Sequence, residues 1–297
     1  SVGVIHSEAM KSYLTYMAQR LIEIKRILKN KGSLYFHCDP TASHYLKIIC
    51  DRIFSHQKFK AEITWKRNSS HNDSKSFGNV SDIILFYGEN IFTDKVRVPL
   101  NSEYQNKFYR HDDPQRGKFR VDNLSAKGLS GGGYHYDFHG HNGPWRYPEK
   151  RMLELEKDNR IYIPKKINGI PALKRFLKEN KGQIPTNVWT DIPPIQSQSK
   201  ERTGYPTQKP IALMNRIINA SSKEGDIVLD PFCGTATTCV AAQQLNRKWI
   251  GIDVSQGAKK LIIERLSNDA GLFGDFDHFD KAPVRKDIEE VKISNKD

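Results

Sequence analysis

Leu14, Met17, Leu21, Ile24 and Leu28 recur at the three- and four-residue spacing of a single helix face, so a helix is predicted from about Glu8 to Lys29, ended by Asn30-Lys31-Gly32. Ser33 to Cys38 is a short apolar run and is predicted as a buried strand. Asp39-Pro40-Thr41 follows as turn and cap, and Ala42 to Phe54 as a second helix. Ala61 to Trp65 and Asp82 to Tyr87 are further strand candidates. Later in the chain, an apolar run from Ile227 ends in Asp230 and a Gly-containing loop follows. A helical pattern then covers Thr237 to Leu245, and a second apolar run from Trp249 ends in Asp253. Helices alternating with short apolar strands predict an α/β domain, a doubly wound and mostly parallel sheet with helices on both faces. The pattern breaks between about Phe92 and Arg202, a stretch rich in Gly, Pro, aromatic and basic residues, and resumes at Pro210. This predicts one α/β domain carrying a large insertion.

The run from Ile227 to Asp253 has the form of a nucleotide-binding βαβ unit. Gly234 lets the backbone approach a ligand, the helix that follows offers unpaired N–H groups at its start, and a carboxylate about twenty residues on can accept both ribose hydroxyls. Asp253 stands at that distance from Asp230. Neither G-x-G-x-x-G nor G-x-x-x-x-G-K-[ST] is present, which argues against a pyrophosphate and for a nucleoside without phosphates, of which S-adenosyl-L-methionine is the common case. Taken alone, a Gly between strand and helix is also what many α/β proteins have.

Two blocks go further. Asp230-Pro231-Phe232-Cys233-Gly234-Thr235-Ala236-Thr237-Thr238 resembles the cofactor loop D-P-F-x-G-x-G-T-T of the β-class DNA amino-methyltransferases, and Tyr205-Pro206-Thr207-Gln208-Lys209-Pro210 resembles their preceding block H/Y-P-T-Q-K-P. The resemblance runs from near residue 10 to about residue 265. It departs at Ala236, where a second Gly is usual; Ala is small enough that cofactor binding is expected to survive. The resemblance implies the Rossmann-like methyltransferase fold in permuted order. Residues 1–92 would be the catalytic half of the sheet, N-terminally incomplete, and 93–202 a target-recognition insertion. Residues 203–270 would be the cofactor-binding half and 271–297 a polar extension. It further implies that Asp253 holds the ribose, and that the loop residues Asp230, Phe232, Cys233, Gly234, Thr235, Thr237 and Thr238 meet the methionine and adenosine edges. Thr207, Gln208 and Lys209 would lie at the methionine carboxylate.

The catalytic motif of that family, D/N/S-P-P-Y/F/W, is not found. Pro193-Pro194 lacks the acid before and the aromatic after, and lies just ahead of the cofactor half. In the family this motif hydrogen-bonds the exocyclic amino group and stacks on the flipped base. Residue 1 falls where the family has just passed it, which implies loss of an N-terminal segment by truncation, a broken frame or a split gene. The catalytic residues are therefore unassigned, and the chain by itself is expected to be catalytically poor. His37 and Asp39, at the end of the first predicted strand, are candidates to line the cleft, with a plain helix cap as the other reading of Asp39.

Lys and Arg exceed Asp and Glu by 13, a field suited to a polyanion, although charge alone also serves solubility or RNA. Trp65 to Lys75 is a polar, basic loop similar to a W-K-R-x-x-x-H-x-D block of relatives. Lys66, Arg67, His71 and Lys75 are its candidate DNA contacts, against the alternative of a merely solvated loop. In the insertion, Arg110, Arg116, Arg120, Arg146 and Lys174 are further candidates, interleaved with aromatics, many of which must build that region's core. His135, His139 and His141 lack Cys or acidic partners at a recognised spacing, so no metal is expected. Cys38, Cys50, Cys233 and Cys239 form no C-x-x-C pair, which suits a reducing, cytoplasmic compartment, and no run approaches the roughly 20 apolar residues of a membrane span.

These readings imply an S-adenosylmethionine-dependent DNA methyltransferase of a restriction-modification or orphan modification system, acting on adenine N6. Cytosine N4 is the alternative target, because the letter that discriminates them lies in the missing motif. The implied partners are double-stranded DNA, an N-terminal fragment or second subunit, and a cognate restriction endonuclease. The non-enzyme alternative is a DNA- and cofactor-binding subunit that depends on that separate segment.

Overall fold

The computed structural model describes residues 7–68, 77–89, 91–166, 169–205 and 207–255, together with Ile262, Ile263, Arg265 and Leu266. His71, Lys75 and the 271–297 extension lie outside the described residues. The chain begins with α1 (Glu8–Ile27), β1 (Leu34–Cys38), α2 (Pro40–Phe54), β2 (Phe59–Lys66) and β3 (Ser81–Tyr87). It continues through α3 (Ser102–Phe108), β4 (His111–Asp113), β5 (Gly117–Asn123), β6 (Tyr134–Phe138), β7 (His141–Trp145), α4 (Glu149–Lys157), β8 (Ile161–Tyr162) and β9 (Ala172–Phe176). It returns with β10 (Val188–Trp189), α5 (Ile211–Ser221), β11 (Ile227–Asp230), α6 (Thr237–Gln244) and β12 (Lys248–Gly251). Two compact units result: residues up to Val96 join those from Thr186 onward, and Arg97–Pro185 form the other.

In the first unit, local chemistry sets the helix ends. Ser7 accepts the Met10 N–H at 3.2 Å, Glu8 lies in the first turn of α1 and Lys25 and Arg26 in the last, the arrangement that suits the helix dipole. Asp39 Oδ1 accepts the Thr41 and Ala42 amides at 2.7 and 3.3 Å, with Pro40 at the first helical position of α2. Strand alternation then sorts the side chains. Phe36, Cys38, Leu85 and Tyr87 face α1 and α2, in a core with Leu14, Met17, Leu21, Leu46 and Phe54. Tyr35, Ile84 and Phe86 face the other way, with Ile63, Trp65 and Trp189, onto Leu213 of α5. The sheet is thus covered on both sides by helices.

Its order is β1-β3-β2-β10. The alternating pattern predicts mostly parallel pairs; β10 does run parallel to β2, but β1 with β3 and β3 with β2 are antiparallel. The reason is connectivity: β2 passes to β3 with no crossover helix among the described residues, and a direct connection reverses the chain. β11 and β12 form a separate parallel pair in register Ile227↔Lys248 to Asp230↔Gly251. One face of this pair packs Val228 and Trp249 on Ala241 and Ala242 of α6 and Ile218 of α5. Met214 of α5 contributes to this core and to that of the four-stranded sheet, so one helix serves both. Arg247, 6% exposed, ties the end of α5 to the end of α6 through Ser222 Oγ at 3.0 Å, Ser222 O at 2.7 Å and Leu245 O at 2.5 Å.

The second unit is antiparallel throughout its described strands: a sheet of order β4-β5-β9-β8 and a β6-β7 hairpin. Its core gathers Leu124, Phe138, Trp145, Met152, Leu155, Ile161 and Leu173. Among the described residues, no helix is long and apolar enough to cross a membrane.

Candidate functional site

β11 ends at Asp230 and β12 leads to Asp253, so the parallel pair delivers both carboxylates to the same edge. Between them the chain makes a tight turn with Gly234 at φ 52° and Ala236 at φ 57°. Ala236 is fully buried at the N-cap position of α6, in the left-handed region that costs an L residue roughly 1–2 kcal/mol. A second Gly at this place would relieve that cost; the turn forms with Ala nonetheless. Asp253 holds the turn closed: its Oδ2 accepts the Gly234 N–H at 2.8 Å and its Oδ1 the Ser255 N–H at 2.7 Å. Each oxygen keeps a further lone pair.

Polar groups in this loop divide into two sets. Asp230 is engaged internally, accepting the Phe232 N–H at 3.1 Å and the Thr238 hydroxyl at 2.5 Å. Thr235 and Thr237 are buried, and Arg265 Nη1 donates to the Thr235 carbonyl at 3.0 Å and to Thr237 Oγ1 at 2.9 Å. Cys233 and Cys239 are buried too. Their sulfurs fill the space beside Gly251, where a Cβ would meet Cys239 Sγ at 2.8 Å and Cys233 Sγ at 3.2 Å. The outward set is Phe232, 42% exposed, the Gly234 backbone and Asp253. Around Gly234 there is room: an added Cβ would come only within 3.8 Å of the Tyr205 ring. A cradle open at Gly234, an aromatic edge and a carboxylate with free lone pairs fit an adenosine-containing cofactor.

The 201–211 segment is knitted to itself. Gln208 Oε1 accepts the Thr203 N–H and hydroxyl at 2.8 and 2.7 Å, its Nε2 donates to the Glu201 carbonyl at 2.6 Å, and Glu201 Oε1 accepts the Ile211 N–H at 2.5 Å, capping α5. Gln208 therefore shapes the loop, while Thr207 is exposed and Lys209 Nζ donates to the Thr207 carbonyl at 3.2 Å.

Beside Lys209 lies a group that includes a residue the sequence reading passed over. His37 projects from β1 on the α5 side, and its Nε2 is 2.7 Å from Oδ2 of Asp82, whose side chain is 3% exposed. Arg67, just past β2, places Nε 3.0 Å from Asp82 Oδ1, off the line of a good hydrogen bond, so charge holds this contact. Burial pushes the Asp82 carboxyl up; the hydrogen bond from His37 and the charges of His37, Arg67 and Lys209 more than offset it and leave it below its usual value. Burial pulls the Lys209 ammonium below its usual value, Asp82 opposing and Arg67 adding to the effect. The signal for Asp82 was present in the sequence as a lone charge within an apolar strand run, a residue type seldom buried without partners. Asp39, the other cleft candidate, is exposed and caps α2.

Of the basic residues read as nucleic-acid contacts, Lys66 and Arg110 are exposed. Several others are engaged within their own unit. Arg116 Nη2 pairs with Asp158 at 2.6 Å, Arg120 Nη1 with Asp122 at 2.6 Å, and Arg146 Nε donates to the Ser125 carbonyl at 3.1 Å. Lys174, with 11% of its side chain exposed, pairs with Asp113 at 3.2 Å and is the most enclosed of them. Among the described residues no group of three or more His, Cys, Asp or Glu is placed to hold a metal; His139 pairs with Glu156 instead.

Residues 5–264 match the N6/N4 methyltransferase family model, described as DNA methylase. The chain belongs to the DNA methylase family. It is 34% identical over 273 residues to the type II methyltransferase M.EcaI of Enterobacter cloacae, covering 89% of this chain and 60% of that protein. It is 32% identical over 252 residues to the type III restriction-modification enzyme StyLTI Mod subunit of Salmonella typhimurium, covering 80% and 39%. Against the DNA adenine methyltransferase YhdJ of Escherichia coli it is 26% identical over 265 residues, covering 89% and 70%. The chain thus spans less than two thirds of the length of the first two relatives, 60% and 39%. Among solved structures, the M1.HpyAVI–SAM complex aligns at a TM-score of 0.44 and 17% identity, covering 85% of this chain and 82% of that one. The cytosine-N4-specific PvuII DNA methyltransferase aligns at 0.46 and 13%, covering 97% and 77%. Membership in the DNA methylase family rests on the family match alone.

Proposed function

We propose that this DNA methylase chain is the cofactor- and DNA-binding body of an S-adenosylmethionine-dependent methyltransferase that modifies the exocyclic amino group of a base, adenine N6 in our reading. The observation that carries it is the pair of carboxylates delivered by one parallel strand pair to a Gly-containing turn: Asp230 shapes the turn through Thr238, and Asp253 closes it through Gly234 while retaining lone pairs. The cofactor supplies an electrophilic methyl group on sulfur. In this reading Asp253 binds the ribose hydroxyls and Phe232 and Tyr205 flank the adenosine edge, while Thr207 lies toward the methionine carboxylate. Lys66 and Arg67 contact the DNA backbone.

No D/N/S-P-P-Y/F/W motif occurs among these 297 residues, so no group is assigned to orient the amino nitrogen. A second reading is that this body acts together with a segment, outside these 297 residues, that carries the motif. A restriction-modification setting is in keeping with the name of the StyLTI Mod subunit, and in this reading a cognate endonuclease is the partner.

The deciding experiment incubates the chain with labelled S-adenosylmethionine and unmethylated genomic DNA and analyses the nucleosides. N6-methyladenine supports the first reading and N4-methylcytosine replaces the target base. Cofactor binding without any methylated product supports the second reading, and absence of cofactor binding refutes both.

A further inference from the structure

The cluster around Asp82 has a charge excess that nothing in the cofactor loop uses. Arg67 contacts the Asp82 carboxylate and Lys209 lies within its electrostatic reach, two cations for one carboxylate. That carboxylate is 3% exposed, while 41% of the Arg67 side chain remains accessible. The anchor is dry and the Arg67 arm is wet, which is the construction expected where an external anion completes the charge balance. Three elements converge on Asp82: β1 through His37, the end of β2 through Arg67, and the segment before α5 through Lys209. His37 occupies one carboxylate oxygen at 2.7 Å, so the other is left to face Arg67. The same segment before α5 places Tyr205 beside Gly234, so the cluster adjoins the cofactor turn.

We propose that Arg67 and Lys209 are the arms of an anion site, that Asp82, locked by His37, is its positioning residue, and that a backbone phosphate of the bound DNA occupies it. This rests on the reading that the chain binds DNA. Asp82 touches neither cofactor nor nucleic acid; it acts by holding the Arg67 guanidinium, whose planar fork suits phosphate only when its orientation is fixed.

The proposal makes an expectation that runs against simple electrostatics. Removing a negative charge from a DNA-binding surface should strengthen binding, yet Asp82→Asn should weaken it. The test measures affinity of the 297-residue chain for a 20-base-pair duplex across several salt concentrations, for the wild type, Arg67→Gln and Asp82→Asn. Calorimetry with S-adenosylmethionine runs in parallel. Arg67→Gln should weaken duplex binding about tenfold and reduce the slope of log K against log salt by about one. Asp82→Asn should weaken it about three- to tenfold with cofactor affinity unchanged. Equal or tighter duplex binding by a folded Asp82→Asn chain overturns the proposal. If that variant does not fold, Arg67→Gln decides, and an unchanged salt slope overturns it.

Inorganic phosphate separates the site from the DNA reading. Its addition should move the His37 ring resonances in the wild type and not in Arg67→Gln. Movement with no duplex binding by the wild type means that the anion site stands and the DNA reading fails. Unmoved resonances mean that the anion site fails even if the duplex binds.

Discussion

The two sheets of the first unit differ in how they are covered. The four-stranded sheet has α1 and α2 on one face and α5 on the other, and Ile84 and Leu85, adjacent residues pointing to opposite faces of β3, are 1% and 0% exposed. The β11–β12 pair is covered on the α5–α6 face, whereas Ile227, Ile250 and Ile252 on its other face are 59%, 50% and 53% exposed. One sheet is a packed foundation; the other, among the described residues, is a platform packed on its α5–α6 face. Stability and ligand binding should therefore be separable by mutation.

The largest test of that contrast sets Leu85→Ala against Ile250→Ala. The first empties a fully buried position and should destabilise by about 2–5 kcal/mol, whereas the second, at a half-exposed site, should cost about 0.5–1 kcal/mol. Equal shifts in the denaturation midpoint would show that the platform is packed as tightly as the foundation. Next, Asp253→Ala should weaken S-adenosylmethionine binding by about 1.5–3 kcal/mol, the range for losing a hydrogen bond to a charged group. Unchanged affinity by calorimetry refutes the ribose assignment. Gly251→Ala sharpens the comparison inside the platform: its methyl would collide with Cys239 Sγ at 2.8 Å, and such overpacking costs about 1–3 kcal/mol. A thermal melt that matches the wild type would mean that the two thiols move aside freely. The smallest effect is expected for Ala236→Gly. Relief of the left-handed backbone, roughly 1–2 kcal/mol, is offset by loss of a buried methyl, about 0.8 kcal/mol, leaving a gain of up to about 1 kcal/mol. A loss of stability would mean that the methyl's packing outweighs the backbone cost.

Legibility varied with the range of the interaction. Local patterns carried the elements: the stripe Leu14, Met17, Leu21 marks the buried side of α1, and Asp39-Pro40 marks the start of α2 within a residue or two. The turn after β11 was readable from Gly234 and the two flanking aspartates. Roles inside it were less so. Thr235, Thr237 and Thr238 look alike in a motif, yet two are buried beside Arg265 and the third is bonded to Asp230. Gln208, which in sequence belongs with Thr207 and Lys209, braces the loop, while Thr207 is exposed and Lys209 is half-buried within reach of the Asp82 charge.

The sequence by itself determined the helices and strands, the carboxylate-flanked turn and the family resemblance, because each depends on residues within a few positions of one another, where backbone propensity and spacing act directly. The tertiary structure decided the pairing direction of β1, β2 and β3 and the division into two sheets under one helix. It also decided which polar groups of the loop face outward, and it brought Asp82 together with His37, Arg67 and Lys209. Such contacts join residues far apart in the chain, and a side chain's final partner is fixed by which buried charges and hydrogen bonds must be satisfied once the layers close.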